Sequence, residues 1–386
     1  MASQRSKAKR LYLALFLLTS LGLSLFWAWG LWGQSFGLGN HALSTNTPAV
    51  MGRDPWLWPF TSNSIWNHPI GSQANYHPAQ LPKANVVSTD PDLLFVIPRD
   101  SPARLLYDPG SWLKRCSGTT TYENLSIQIP DGLIVPDAVN EPGRYETPNN
   151  AAALLQPDGR TILQLEPMAR CDPQGPVYGY RWPKQNVDLY GDGIPGSHLG
   201  SGLSALGGAI RKGELLSKEP IRHALKLEFW GKYLHYDAKR ETPGYRWPAD
   251  RADGQAASIY EGSDPELVMG SLMAIPPATS IASLGLKTDA GRKIAEALRD
   301  FGGYVVDSTG WDAHAIAIEA GVEQELQRAS GYGLSGNASN PTKFYGDFNR
   351  IVQALAIVTD NRPEQPGGAG TPRTDLAPPL PSPPPS

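Results

Sequence analysis

The chain predicts a mainly β fold, a β-sandwich or jelly roll with two peripheral helices near its C-terminal end, and three observations carry that prediction. Glycine (40) and proline (36) are both well above average usage among 386 residues, which favours short strands joined by turns over long helices. Apolar runs stopped by Pro, Gly or Asp recur between residues 80 and 185, as in LLFVIP, NLSIQIP, GLIVP, AAALLQPDGRTILQLEP and PVYGYRWP. Their spacing of about eight to twelve residues is that of sandwiches and jelly rolls. Helical periodicity is confined to two stretches beyond residue 287.

The first ten residues carry Arg5, Lys7, Lys9 and Arg10, and an uncharged apolar run follows from Leu11 to Gly33, with Trp27, Trp29 and Trp32 clustered at its end. A basic flank before an apolar run is an export signature. The run is long enough to span a bilayer, which takes about 20 residues, with the positive flank in the cytoplasm and the tryptophans at the far interface. The expected organisation is therefore an export signal or membrane anchor over 1–33, a polar linker over 34–58, one β-rich globular domain over 59–361 and a proline-rich tail over 362–386. The body is expected outside the cytoplasmic membrane, anchored by the N-terminal helix or secreted. A formal net charge of −3 with 18% charged residues, and no basic stripe beyond residue 10, excludes nucleic acid as the expected partner. Two cysteines are present, Cys116 and Cys171. Paired in an oxidising compartment, they close a loop of about 55 residues, worth about 4 kcal/mol in the chain-entropy model; two separate buried thiols are the alternative. Neither has a second cysteine or a histidine at ligand spacing, so no zinc site is predicted.

PFTSNSIWNHPIG, from Pro59 to Gly71, opens the globular part as a turn that delivers Trp66 into the core. Gln156 to Arg160 fits a tight hairpin turn with Asp158-Gly159 at its tip. The period of two then sorts side chains by sheet face. Ile162, Gln164 and Glu166 share one face and Leu163 and Leu165 the other; Tyr178, Tyr180 and Trp182 fall together; His223 sides with Leu225, Leu227 and Phe229, whereas Lys226, Glu228 and Trp230 face away. Thr288 or Asp289 caps a helix with Ile294, Ala297, Leu298 and Phe301 at helical spacing, stopped by Gly302. GYVVDSTGWDAHAIAIEAG reads as a hairpin about Thr309-Gly310, and a second helix follows Pro341 through Phe348, Ile351, Leu355 and Val358.

Val187 to Trp230 concentrates the chemistry. It holds Asp188, Asp192, His198, Arg211 and His223 together with seven glycines between Gly191 and Gly208, a density that permits close backbone approach and positive φ. The stretch reads as the rim and floor of a site. A sheet face that is polar and aromatic at once suits sugars, because rings cover the apolar side of a pyranose while amides and carboxylates take its hydroxyls. Gln164, Tyr178, Trp182, Asp192 and Arg211 are the expected substrate contacts. Two reactions fit the remaining groups. Hydrolysis uses paired carboxyls, for which Glu166, Asp188 and Asp192 are the candidates. β-Elimination beside a uronate uses His or Tyr as base or acid with Arg neutralising the carboxylate, for which His198, His223 and Tyr180 stand beside Arg211. No nucleophile elbow, phosphate loop, H-E-x-x-H or paired C-x-x-C occurs, and no cofactor is expected. The one metal considered is calcium on Asp188 and Asp192, whose spacing is not that of an EF-hand.

SIWN (64–67), LQPDGRT (155–161), DLYGDG (188–193), GSGLSALGGAIRKGEL (200–215), IRHALK (221–226), YRWPA (245–249) and YVVD (304–307) resemble a family of exported bacterial proteins whose function is unassigned. The resemblance runs from about Trp58 to Arg373 and implies that Gly200 to Arg211 and His223 belong to the family's signature. One departure is Leu199, where a glycine is expected after the histidine. An arginine-glutamate strand followed by a histidine strand bears a looser likeness to jelly-roll polysaccharide lyases, an analogy of fold alone. Two functions are thus expected: an exported carbohydrate-active enzyme cleaving an extracellular polysaccharide or cell-wall glycan, or a noncatalytic glycan-binding or envelope-structural module.

Overall fold

The computed structural model describes residues 53–141, 144–146 and 148–384, the side chains of 140–147 excepted. The export segment over 1–33 and most of the 34–58 linker lie outside the described residues. Among the described residues no helix is long and apolar enough to cross a membrane.

The mainly β class is as expected. In the first half run β1 (Tyr76–Pro78), β2 (Val86–Val96), β3 (Ala103–Tyr107), β4 (Thr121–Gln128), β5 (Val139–Glu141), β6 (Arg144–Glu146), β7 (Ala152–Leu155), β8 (Thr161–Ala169) and β9 (Val177–Arg181). Then come β10 (Val187–Asp188), β11 (Pro195–His198), β12 (Leu225–Trp230), β13 (Leu272–Ala274), β14 (Gly303–Thr309), β15 (Ala313–Glu319), β16 (Gly336–Asn337) and β17 (Ala356–Val358). The helices are α1 (Ala256–Ile259), α2 (Asp289–Asp300), α3 (Val322–Ser330) and α4 (Lys343–Gln353). Strand pairing defines one 14-stranded mixed sheet, in the order β1-β17-β13-β14-β12-β15-β2-β7-β8-β9-β3-β4, with β10 on β8 and β16 on β2; β5 and β6 form a separate ribbon.

Local chemistry accounts for the elements. The β7–β8 turn forms at QPDGR: Gly159 takes φ 70°, and Asp158 Oδ1 accepts from the amides of Arg160 and Thr161. Thr288 caps α2, its hydroxyl accepting from Gly291 N at 3.0 Å. Ile294, Ala297 and Leu298 bury the inner face of α2, and Gly302 turns the chain out of it at φ 75°. Two expectations are corrected. The stretch around Thr309-Gly310 is not a paired hairpin: β12 sits between β14 and β15, parallel to the first and antiparallel to the second. The second helix ends at Gln353, and Ala356–Val358 continues as β17, which pairs with β1 and β13.

Parity divides the sheet as the alternation implies. Leu225, Leu227, Phe229, Ile316, Ile318 and Val87 face a core shared with α2, α3 and α4, each such side chain contributing about 1.5–3 kcal/mol when fully buried. The opposite face packs Leu94, Ala153 and Ile162 beneath Leu203, Ala205, Leu206 and Ala209 of the glycine-rich stretch and beneath Trp66. Trp66 is 1% exposed, its Nε1 donates to Gly193 O at 2.7 Å, and Tyr304 meets it edge-on at 5.5 Å. Gly208, at φ 76°, lies against that indole, and a Cβ there would stand 2.5 Å from Cζ3. A third cluster, with Leu163 and Leu165, fills the space under β3 and β4.

Candidate active site

The glycine-rich stretch lies over a sheet face that is apolar at its borders and charged at its centre. Ser88, Asp90 and Asp92 alternate along β2, Gln164 and Glu166 along β8, and Lys226 and Glu228 along β12. Between β12 and β2 runs β15, which presents Ala315 and Ala317 to this face; Glu228 is opposite Ala315, and Ala317 is opposite Asp90. These small residues leave room for the longer side chains of both neighbouring strands to meet above them. Asp307 joins by a β-bulge. The β12–β14 register steps from Leu227↔Val305 to Glu228↔Asp307, so Asp307 is brought level with Glu228 on a strand whose plain alternation would turn it away.

Asp90, Asp92, Glu166, Glu228, Asp307, His198 and Lys226 are all at most 8% exposed. Lys226 Nζ donates to Asp92 Oδ2 at 2.7 Å, Ala205 O at 2.8 Å and Ser204 O at 3.2 Å, and lies 2.9 Å from His198 Nε2. His198 Nε2 is also 3.1 Å from Asp92 Oδ1. Leu199 N donates to Glu166 Oε2 at 2.5 Å, while Asn149 Nδ2 and Ser308 N donate to Asp307. Burial first, and then the charge of its neighbours, holds the carboxyls of Glu166, Glu228 and Asp307 well above the usual range and raises Asp90 as well. Burial and the Asp90 charge are the leading causes that raise Glu228, and burial is the leading cause that raises Asp90, so the two neighbouring carboxyls titrate as a linked pair.

Asp90 and Glu228 reach the floor of a cleft of about 1030 Å³, just beyond the 300–1,000 Å³ of most ligand pockets. Its lining includes Ser88, Thr89, Asn149, Ser308 and Thr309, with Glu323 on one side. Trp112 (37% exposed) and Trp311 (60% exposed) stand at its rim. The cleft follows an interruption in strand pairing: on the side away from β15, β2 meets β16 at Val86 and Val87 and β7 from Leu93 onward, leaving Ser88 to Asp92 without a described partner there. Asp90 Oδ2 and Glu228 Oε1 are buried and have no hydrogen-bond partner among the described residues, which leaves them open to a ligand or water. The wall is braced from behind. Arg115 donates to Trp112 O and Pro148 O and packs over the Trp112 ring. The Cys116–Cys171 disulfide forms, with Cα atoms 6.4 Å apart, tying this wall to the segment just after β8.

Of the residues singled out in the sequence, Glu166, His198 and Gln164 lie in this cluster. Gln164 is a brace within it, its amide bonding Ala205 N and Pro195 O. The others lie elsewhere. His223 belongs to a separate group, its Nε2 3.2 Å from Glu214 and its Nδ1 on Ala224 O. Arg211 pairs with Glu319 at 2.9 Å and lies over Trp56. Asp188 is held by Arg160 at 2.6 Å, and Asp192 caps its own turn by accepting from Ile194 N. Tyr178 leans on Tyr107, Tyr180 is 40% exposed, and Trp182 stacks beneath Arg251 at 3.6 Å. Asp90, Asp92, Lys226, Glu228 and Asp307 were not anticipated; the alternation of Ser88, Asp90 and Asp92 and that of Lys226 and Glu228 are the signals that point to them. No family model, curated protein or solved structure matches the chain.

Proposed function

We propose that the protein is an exported, carbohydrate-directed hydrolase whose acid–base unit is the Asp90–Glu228 pair. The observation that carries this proposal is a pair of buried carboxyls, Asp90 and Glu228, at the floor of a tryptophan-rimmed cleft lined by hydroxyl and amide groups. Two neighbouring buried carboxyls cannot both ionise, so one holds a proton while the other accepts one. In hydrolysis Asp90 takes a proton from water, the water oxygen bonds to the electrophilic carbon, and Glu228 gives its proton to the leaving oxygen or nitrogen as that bond breaks. The pair ends with the one proton it began with.

The geometry favours one class of bond. Carboxyls that act across a glycosidic linkage stand about 5–5.5 Å apart in retaining enzymes and about 6.5–9.5 Å in inverting ones, whereas Asp90 and Glu228 lean toward one another over Ala315 and Ala317 of β15 and titrate as a linked pair. Such a pair suits addition of water to a carbonyl carbon, where acid and base serve the same tetrahedral centre. Ester and amide substituents of a glycan offer such carbons, and the tryptophans and hydroxyls of the cleft suit the sugar that bears them. β-Elimination of a uronate is disfavoured: among the described lining residues there is no arginine or lysine to neutralise its carboxylate, and Asp90, Glu228 and Glu323 would repel it. His223 and Arg211, the residues for that reaction, are committed elsewhere.

The test is incubation of the purified protein with acylated and deacylated glycans, following released carboxylic acid, new reducing ends and ultraviolet-absorbing products in parallel. Released acid without reducing ends supports the proposal. Reducing ends alone move the reaction to the glycosidic bond, absorbing products to elimination, and binding without turnover to a noncatalytic glycan-binding module.

A further inference from the structure

We propose that Glu166, His198 and Asp307 form a binding site for a divalent transition cation of the zinc or manganese class. The three residues come from β8, β11 and β14, all three are buried, and each presents one ligand atom within 4.8 Å of the other two. The independent pointer is the imidazole. His198 is 0% exposed, its Nε2 is occupied beside Lys226 and Asp92, and its Nδ1 has no hydrogen-bond partner among the described residues. A buried ring nitrogen without a partner is rare and costly unless something binds it. His198 Nε2 lies 2.9 Å from Lys226 Nζ and 3.1 Å from Asp92 Oδ1, which leaves Nδ1 as the free ring nitrogen. A carboxylate beside the distal nitrogen of a ligating histidine is the usual outer partner in such centres.

Charge and spacing agree with a cation. Asp90, Asp92, Glu166, Glu228 and Asp307 crowd one buried region, where Lys226 bonds Asp92. Nδ1 makes no hydrogen bond to either carboxylate, yet an ion about 2.0–2.2 Å from each ligand atom bridges such a gap. One imidazole and two carboxylates, with no thiolate, suit zinc or manganese over the all-oxygen cages of calcium. The site is distinct from the Asp188 and Asp192 turn, whose carboxylates hold Arg160 and a backbone amide. A bound ion would tie β8 and β14 to the Leu199–Gly202 turn through Glu166, which also accepts from Leu199 N.

This inference does not rest on the hydrolase proposal, and its readout is independent of activity. The full chain, stripped with chelator and dialysed, is titrated with Zn²⁺, Mn²⁺ and Ca²⁺ by calorimetry, with melting temperature followed in parallel. The expected result is one Zn²⁺ or Mn²⁺ per chain with a rise in melting temperature, affinity reduced at least tenfold by Glu166→Gln or Asp307→Asn, and affinity unchanged by Asp188→Asn. Circular dichroism establishes that each variant is folded; should one fail to fold, the other decides. Substoichiometric binding, binding of Ca²⁺ alone, or wild-type affinity in a folded Glu166→Gln variant overturns the assignment.

Discussion

Lys226→Met is the sharpest probe of how the buried cluster is held. Methionine keeps much of the length and apolar stem of lysine while removing the ammonium that bonds Asp92 Oδ2, Ser204 O and Ala205 O. Both Lys226 and Asp92 have side chains that are 0% exposed, so water does not screen the pair. Removing one partner of a buried ion pair costs about 3–5 kcal/mol, because the other charge is left uncompensated. Here the orphaned charge sits beside further carboxyls, which places the expected loss at the upper end of that range and the drop in melting temperature on the order of 10 °C. Lys226→Met/Asp92→Asn removes the stranded charge as well and is expected to be more stable than Lys226→Met alone. Thermal unfolding of the wild type and both variants at pH 7 measures this. A loss below about 1 kcal/mol in Lys226→Met, or a double variant less stable than the single one, would refute the account of Lys226 as the counter-charge of the cluster.

Three further outcomes are expected. Cys116→Ser/Cys171→Ser opens a loop of separation 55 and should lower stability by about 4 kcal/mol in the chain-entropy model, read by denaturant titration of the oxidised protein and the variant. Gly208→Ala forces a Cβ to 2.5 Å from the buried Trp66 ring at φ 76°; strain and overpacking together should cost about 2–4 kcal/mol, seen as a lower melting temperature. The His223–Glu214 pair should show a pH window. Burial acts against both charges, yet their mutual attraction and hydrogen bond keep His223 above its ordinary 6.5 and Glu214 below its ordinary 4.5. The raised histidine contributes stability that is complete below 6.5 and fades as pH rises through its folded value. The lowered glutamate contributes above 4.5 and fades as pH falls through its folded value. The melting-temperature gap between wild type and His223→Gln should therefore be widest between about pH 4.5 and 6.5 and narrow on both sides; a gap that does not vary with pH contradicts this.

Period-two alternation carried much of the fold. It placed Gln164 and Glu166 on the face opposite Leu163 and Leu165, and turned Lys226 and Glu228 away from Leu225, Leu227 and Phe229, as the core clusters have them. The turn at Asp158-Gly159 and the Thr288 cap were legible because their chemistry is local. Long-range pairing was not. Nothing between Gly303 and Glu319 announces that β12 inserts between two strands adjacent in sequence, nor that a bulge re-aims Asp307. The site was half visible for the same reason. Glu166 and His198 stood out by residue type and glycine context, whereas Asp90 and Asp92 precede the apolar run of β2 and resemble an ordinary solvated strand entry until parallel pairing with β15 carries them inward. His223 drew notice as a histidine near a strand, yet its neighbours Glu214 and Arg211 come from the turn that follows the glycine-rich stretch.

The central claim is that Glu228 carries the proton delivered to the leaving group, and the most direct test is the rate of acid release from acylated glycan by wild type and by Glu228→Gln. The variant keeps the size and a hydrogen-bond donor toward Asp90 but has no transferable proton, and general acid catalysis is worth about 10²–10⁴ in rate. A folded Glu228→Gln protein slowed at least about 100-fold, with substrate binding retained, is the predicted result. A Glu228→Gln protein that releases acid at the wild-type rate would contradict the account.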